Sequence, residues 1–439
     1  MREAKSNNRV SRREFLKSAA VAAAAAVASG SLIEACAPAA APTPTATKAP
    51  VVPPGAATPA AKPAVTPAVE VKPSGGPPLK IGVLLPYSKV YAFIGQSITN
   101  GMVLYFESIG NTIAGRKIEL IKEDEEADPQ VTMRKARKFI EQDQVDLITG
   151  LVASPDAYAV RDMVHQNKMI LIISNAGANG VTREKKSPYI FRTSFSNWQI
   201  TQPMGAWVAK NVSKKVLLSA ADYAAGKEMM AAFKETFVPA GGTVVSEVYP
   251  PLGNTDYGPY LAKIAEAKPE AVFTFFAGSD AANFVKQYEE YGLKKTIKLT
   301  GAGWLVEPDV LPLEGKAALG AITSLNWAIT VDNLENKRYV EAYQKRFNAE
   351  ADSYSVQGFD TARVIHEAIE KAKGNTSDKE GLVKALERVR FASPRGPFEF
   401  DAETHNVIQN LYMREVKEVS GKLTNVVIDT IKMVKDPGK

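Results

Sequence analysis

The residues able to do chemistry are few, and their spacing leads away from catalysis. Three histidines stand in 439 residues, His165, His366 and His405, and none belongs to HExxH or a comparable metal-binding pattern. GxSxG, which would put a serine on a strained strand-to-helix turn, is absent. Gly226-Lys227 has the close of a phosphate loop, but Ala221 stands where its first glycine is required. Gly301-Ala302-Gly303 opens like a dinucleotide fingerprint and then places Val306 where the third glycine belongs. The acidic run Glu123-Asp124-Glu125-Glu126 leads into Asp128-Pro129, an N-cap residue followed by a proline at the first helical position. It reads as a solvated strand-to-helix turn. No enzyme activity, metal or cofactor is therefore expected.

What remains suits the holding of a solute. Ser154 follows the apolar run DLITG (146–150) and precedes Pro155 at a helix start. Free N–H groups and the positive end of the helix dipole suit a carboxylate there, and a plain N-cap is the other role open to the serine. Tyr91, Phe93, Trp198, Phe276 and Trp304 stand near predicted strand ends or first-turn loops. A cleft lined by such rings favours a flat, apolar body that bears an acid group.

These residues sit on a regular alternation of elements. KIGVLLP (80–86) precedes a predicted helix over 95–109, KIELIKED (117–124) one over 129–142, and DLITG one over 155–167, after which MILIIS (169–174) follows. The rhythm resumes with KVLLSA (215–220), TVVSEVY (243–249), AVFTFF (271–276), IKLTG (297–301) and AITSL (321–325). Strand–helix–strand repetition implies an α/β fold with parallel sheets and right-handed crossovers. The roughly 360 residues beyond 79 exceed one comfortable core and imply two domains.

An ordered set of segments also resembles a known family. KIGVLLP with Gly95 and Asn100-Gly101, the Glu123–Pro129 turn, Gly150–Ser154, Ser174–Asn179, Phe191-Arg192-Thr193, Val356–Ala362 and Gly396-Pro397-Phe398 carry the likeness. Over about 79–435 the chain resembles the leucine/isoleucine/valine-binding family of ABC-transporter solute receptors, the type I periplasmic binding proteins. The resemblance implies two doubly wound parallel-sheet lobes joined by a three-strand hinge. It divides them as 79–198 plus 327–390 for the N-lobe and 199–326 plus 391–435 for the C-lobe. It implies ligand contacts at Ser154, Ala176, Gly177 and Asn179 from the first lobe and Tyr223 from the second. Members that bind amino acids typically supply an acid for the ammonium group where Gly303 stands here, beside Trp304. A buried ammonium needs such a partner, so its absence ranks an aromatic acid ahead of a branched-chain amino acid. The expected partners are a small organic carboxylate and the permease and ATPase of an ABC importer, with the receptor a monomer. A receptor that signals occupancy to a membrane partner is the alternative.

The first 78 residues form an address and a stalk. Residues 11–17 read SRREFLK and are similar to a twin-arginine export signal, followed by a short, alanine-rich apolar stretch. Ile33-Glu34-Ala35-Cys36 is similar to a lipobox, with Glu34 departing from the usual residue, and Cys36 is the chain's one cysteine. Residues 1–35 thus read as a signal peptide and Cys36 as the lipidated residue that anchors the protein to an extracytoplasmic membrane face. Residues 36–78 hold twelve of the 27 prolines and read as a disordered linker. The leader carries six basic and three acidic residues, half of the net charge of +6. The remaining +3 is ordinary and gives no reason to expect a nucleic-acid partner.

Overall fold

The computed structural model describes residues 76–439. The leader, Cys36 and nearly all of the stalk lie outside the described residues. Within them, fifteen strands form two sheets. The first has the order β2-β3-β1-β4-β5-β6, built from β1 (Leu79–Leu85), β2 (Thr112–Ile113), β3 (Arg116–Asp124), β4 (Leu147–Gly150), β5 (Leu171–Ile173) and β6 (Ile190–Arg192). The second begins with β7 (Lys215–Ala220), β8 (Thr243–Val248), β9 (Ala271–Phe275), β10 (Lys298–Ala302) and β11 (Ile322–Leu325). It is extended by β12 (Arg390–Ser393), β13 (Gly396–Phe400), β14 (Val407–Val419) and β15 (Lys422–Val434). All nine strands called from the sequence are present. β1, β4, β5, β7 and β9 are buried along nearly their whole length, as strands covered on both faces are, whereas β3 and β8 are partly exposed.

The parallel strands predicted from the sequence are joined in each sheet by antiparallel ones. β2 runs antiparallel to β3, and β14 runs antiparallel to β11, β13 and β15. The reason is local. β14 and β15 are joined by Ser420-Gly421, both with positive φ (51° and 80°), and Val419 pairs with Lys422 across the turn. A two-residue loop of that handedness matches strand twist and forces a hairpin rather than a crossover.

Helix starts follow the sequence signals. Asp128 accepts hydrogen bonds from the Gln130 and Val131 N–H groups, and Pro129 opens the helix Pro129–Lys138. That helix continues over Phe139–Asp143 as a π-type turn. The helices Ala92–Ser108 and Ser353–Lys371 cross at bare backbone. A Cβ on Gly101 would strike the Ser355 carbonyl, and one on Gly358 would strike that of Ile98. Glycine at both positions lets the 353–371 helix lie against the 92–108 helix, which brings Tyr354 to the site described next.

Candidate functional site

Residues that follow the carboxyl ends of strands in both sheets converge on one cavity. Tyr91 follows β1, Ser154 follows β4, Gly177 follows β5 and Asn197 follows β6; Tyr223 and Trp304 follow β7 and β10. This is where open α/β sheets bind ligands.

The wall around Ser154 is built by strain and by a buried acid. Leu151 is fully buried with φ 66°, a region costly for a branched side chain. Three bonds hold the loop. The Leu151 N–H donates to the Leu84 carbonyl (2.8 Å), its carbonyl accepts from the Ala176 N–H (2.8 Å), and the Val152 N–H donates to Glu125 Oε1 (2.9 Å). Ala153 occupies the N-cap position of the helix Ser154–Gln166, and no side chain caps it. The Ser154 hydroxyl is therefore no N-cap; it lines the cavity and accepts from Asn197 Nδ2 at 3.1 Å.

The opposite walls are aromatic. Trp304 packs at 4.5 Å from Phe195 and 5.7 Å from Phe275 between ring centroids, and Tyr223 stacks on Phe275 at 6.1 Å. Tyr91 donates to Tyr223 across the cavity at 3.2 Å; burial pushes both phenols up, so both keep their protons. A second cross-connection centres on Glu228. It accepts from the Tyr158 hydroxyl (2.6 Å), the Asn179 N–H (2.9 Å) and Asn197 Nδ2 (2.8 Å). Among the described residues, no charged side chain lines the cavity.

Of the residues proposed from the sequence, the cavity brings together Tyr91, Ser154, Gly177, Tyr223 and Trp304. The other five lie outside its lining. Phe276 packs into a separate core against Tyr257 and Phe284, because strand alternation turns Phe275 to the cavity and its neighbour to the other face. Trp198 points away from Asn197 and donates to Glu235 at 2.6 Å. Asn179 accepts from the Trp198 N–H, and Ala176 is fully buried beside the Leu151 turn. Phe93 is 52% exposed. Sequence reading missed Asn175, Phe195, Asn197, Phe275 and Tyr354, all of which line the cavity. Asn197 had a signal, since Ser196 and Gln199 form a capping box at that helix start.

All three histidines have structural partners. His165 pairs with Ser187, His366 with Tyr105, and His405 stacks on Phe191 at 4.0 Å. Among the described residues, no group of three potential ligands could hold a metal ion, and no helix is long and apolar enough to cross a membrane.

Several acids are buried and bind their protons more tightly than free carboxyls do. Desolvation raises Asp280 and Asp352 to about 6. Glu125 and Asp156 are pushed up by desolvation, and for Glu125 the nearby Asp156 adds to the shift. These groups bind protons more tightly folded than unfolded, so stability falls as pH rises from about 4 through about 6. Carboxylates held low, such as Asp436 beside Arg183 and Ser196, act oppositely and lose stability only as pH falls through the acid range. The melting temperature is expected to be higher at pH 5 than at pH 8, with Asp280 and Asp352 each costing roughly 2 kcal/mol at the upper pH. Differential scanning calorimetry across that range checks this, and a flat or rising trend contradicts it.

The architecture and the cleft have counterparts. The family model described as periplasmic binding protein matches residues 78–422. The chain belongs to this family. It is the solute-binding protein of an ABC transporter, it acts outside the cytoplasm, and it is not an enzyme. The binding protein is 33% identical over 366 residues to Leu/Ile/Val-binding protein homolog 6 of Brucella melitensis, covering 82% of this chain and 93% of the relative. A solute-binding protein from Rhodopseudomonas palustris BisB5, solved with 3,4-dihydroxybenzoic acid, is 38% identical with a TM-score of 0.78, over 82% of this chain and 99% of that one. One from R. palustris solved with benzoate is 35% identical with a TM-score of 0.77, over 81% and 98%.

In this binding protein, Gly303 leaves no room for a side chain. A Cβ there would run into the Arg414 guanidinium and Leu325. Arg414 is fully buried, pairs with Glu307 at 2.6 Å and donates to the Gly303 carbonyl at 2.8 Å.

Proposed function

We propose that this binding protein delivers an aromatic carboxylate to an ABC importer from a membrane-tethered position. The observation that carries the reading is the lining itself, aromatic on several sides and without a charged side chain. An ammonium group enclosed there would have no counter-charge, which costs several kcal/mol once water is excluded. A carboxylate instead meets the Ser154 hydroxyl and the start of its helix. The likeness to proteins solved with 3,4-dihydroxybenzoic acid and with benzoate supports the same class.

The ligand is held between two lobes, 79–198 with 327–390 and 199–326 with 391–435, and they close on it. The strands β1–β6 fall in the first range and β7–β11 in the second, and the Tyr91–Tyr223 and Tyr158–Glu228 bonds run from one to the other. Ligand drives closure by binding the closed form preferentially. Cys36 carries the lipid, residues 36–78 give reach, and SRREFLK routes the chain through twin-arginine export. The intact mass of membrane-extracted protein reads the acyl chains directly, and an unmodified Cys36 would contradict the tether.

Ser154→Ala is expected to weaken binding of aromatic acids by about 1–3 kcal/mol, since it removes a buried donor to the carboxylate. Titration calorimetry of the variant decides it. Unchanged affinity removes Ser154 from the site.

A further inference from the structure

We infer that the ligand carries a ring oxygen in addition to its carboxylate, and that Trp304 and Tyr354 recognise that oxygen. The inference rests on the aromatic-acid reading and adds the ring substituent to it.

Two polar stations line the cavity. Ser154 and Asn197 make the first, in contact with each other at 3.1 Å. Trp304 and Tyr354 make the second. They are 2% and 1% exposed, and among the described residues neither the indole N–H nor the phenol O–H has a partner. Buried donors are rarely left unmade, because losing water without gaining an acceptor is unfavourable. An unsubstituted ring offers them only C–H groups. An indole N–H can only donate, so the atom it meets must be an acceptor. With the carboxylate at the Ser154 station, that acceptor is a second oxygen on the ring, phenolic or ether.

The second station is braced as a unit. Arg414 donates to the Gly303 carbonyl at 2.8 Å and to Glu307 at 2.6 Å, and Glu307 accepts from the Ser353 N–H at 2.9 Å. One ion pair, both partners fully buried, thus fixes the residue before each donor. Arg414 and Glu307 are positioning residues here; Trp304 and Tyr354 touch the ligand.

Calorimetry on the purified full-length protein with benzoate, 3-hydroxybenzoate, 4-hydroxybenzoate and 4-methoxybenzoate tests this, alongside Tyr354→Phe and Trp304→Phe. At least one oxygenated acid is expected to bind about tenfold tighter than benzoate. Each variant should weaken the oxygenated acid more than benzoate and so remove most of that preference. Benzoate binding as tightly as every oxygenated acid overturns the inference and leaves the aromatic-acid reading standing. An equal loss for benzoate and the oxygenated acids in Tyr354→Phe also overturns it, because the donors would then hold the carboxylate. Binding of no aromatic acid overturns both. Circular dichroism checks folding, and if Trp304→Phe does not fold, Tyr354→Phe decides alone.

Discussion

Glu307→Ala is expected to destabilise the fold by about 3–5 kcal/mol, among the largest effects of any single side chain in the described residues. The carboxylate is fully buried and does two jobs. It neutralises Arg414 and accepts the first N–H of the helix Ser353–Lys371. Its removal leaves a guanidinium buried with only carbonyl oxygens of Gly303 and Trp327 and the Thr323 hydroxyl around it. Carbonyl dipoles do not replace a full counter-charge in such a place. The double variant Glu307→Leu with Arg414→Met should lose less than Glu307→Ala alone, since it takes both charges away together. Urea denaturation measures both. A loss below about 1 kcal/mol in the single variant would show that the pair is not isolated from water as the structure describes.

The second large effect falls on binding. Trp304→Ala is expected to cost about 2–4 kcal/mol of affinity for an aromatic acid, as buried aromatic anchors commonly do. Trp304 sits between Phe195 and Phe275 and forms a broad part of the cavity wall. Its loss also leaves a void in the shared core, so stability should fall together with affinity. Binding is best measured at low temperature on protein shown to be folded. An unchanged dissociation constant would place the ligand elsewhere.

Much of the fold was legible because apolar runs in a parallel sheet are hard to mistake. KVLLSA and AVFTFF could be little else once helical segments flank them. The three-residue strand Ile190–Arg192 was not marked as a strand, being too short to show a pattern. The β14–β15 hairpin was missed although Ser420-Gly421 between two β-rich runs is a turn signal of the right kind.

At the site, the limits were ones of parity and distance. Sequence reading names Phe276 and not Phe275; both faces of a parallel strand are buried, so hydrophobicity does not say which side chain meets the cavity. Trp198 drew attention by its size, yet its neighbour Asn197 faces inward, one step of about 100° around the helix. Tyr354 had no local signal at all. Its place depends on Gly101 and Gly358 letting two helices touch, a fact about packing between segments some 250 residues apart. The position of Ser154 in the lining is legible because a helix start is a local feature of the sequence.

The central claim is that the cavity selects an aromatic carboxylate over an amino acid. Titration calorimetry of the purified protein against benzoate, 4-hydroxybenzoate and leucine tests it most directly. The account predicts tight, saturable binding of an aromatic acid and none of leucine. Tight leucine binding with no response to either aromatic acid would contradict it.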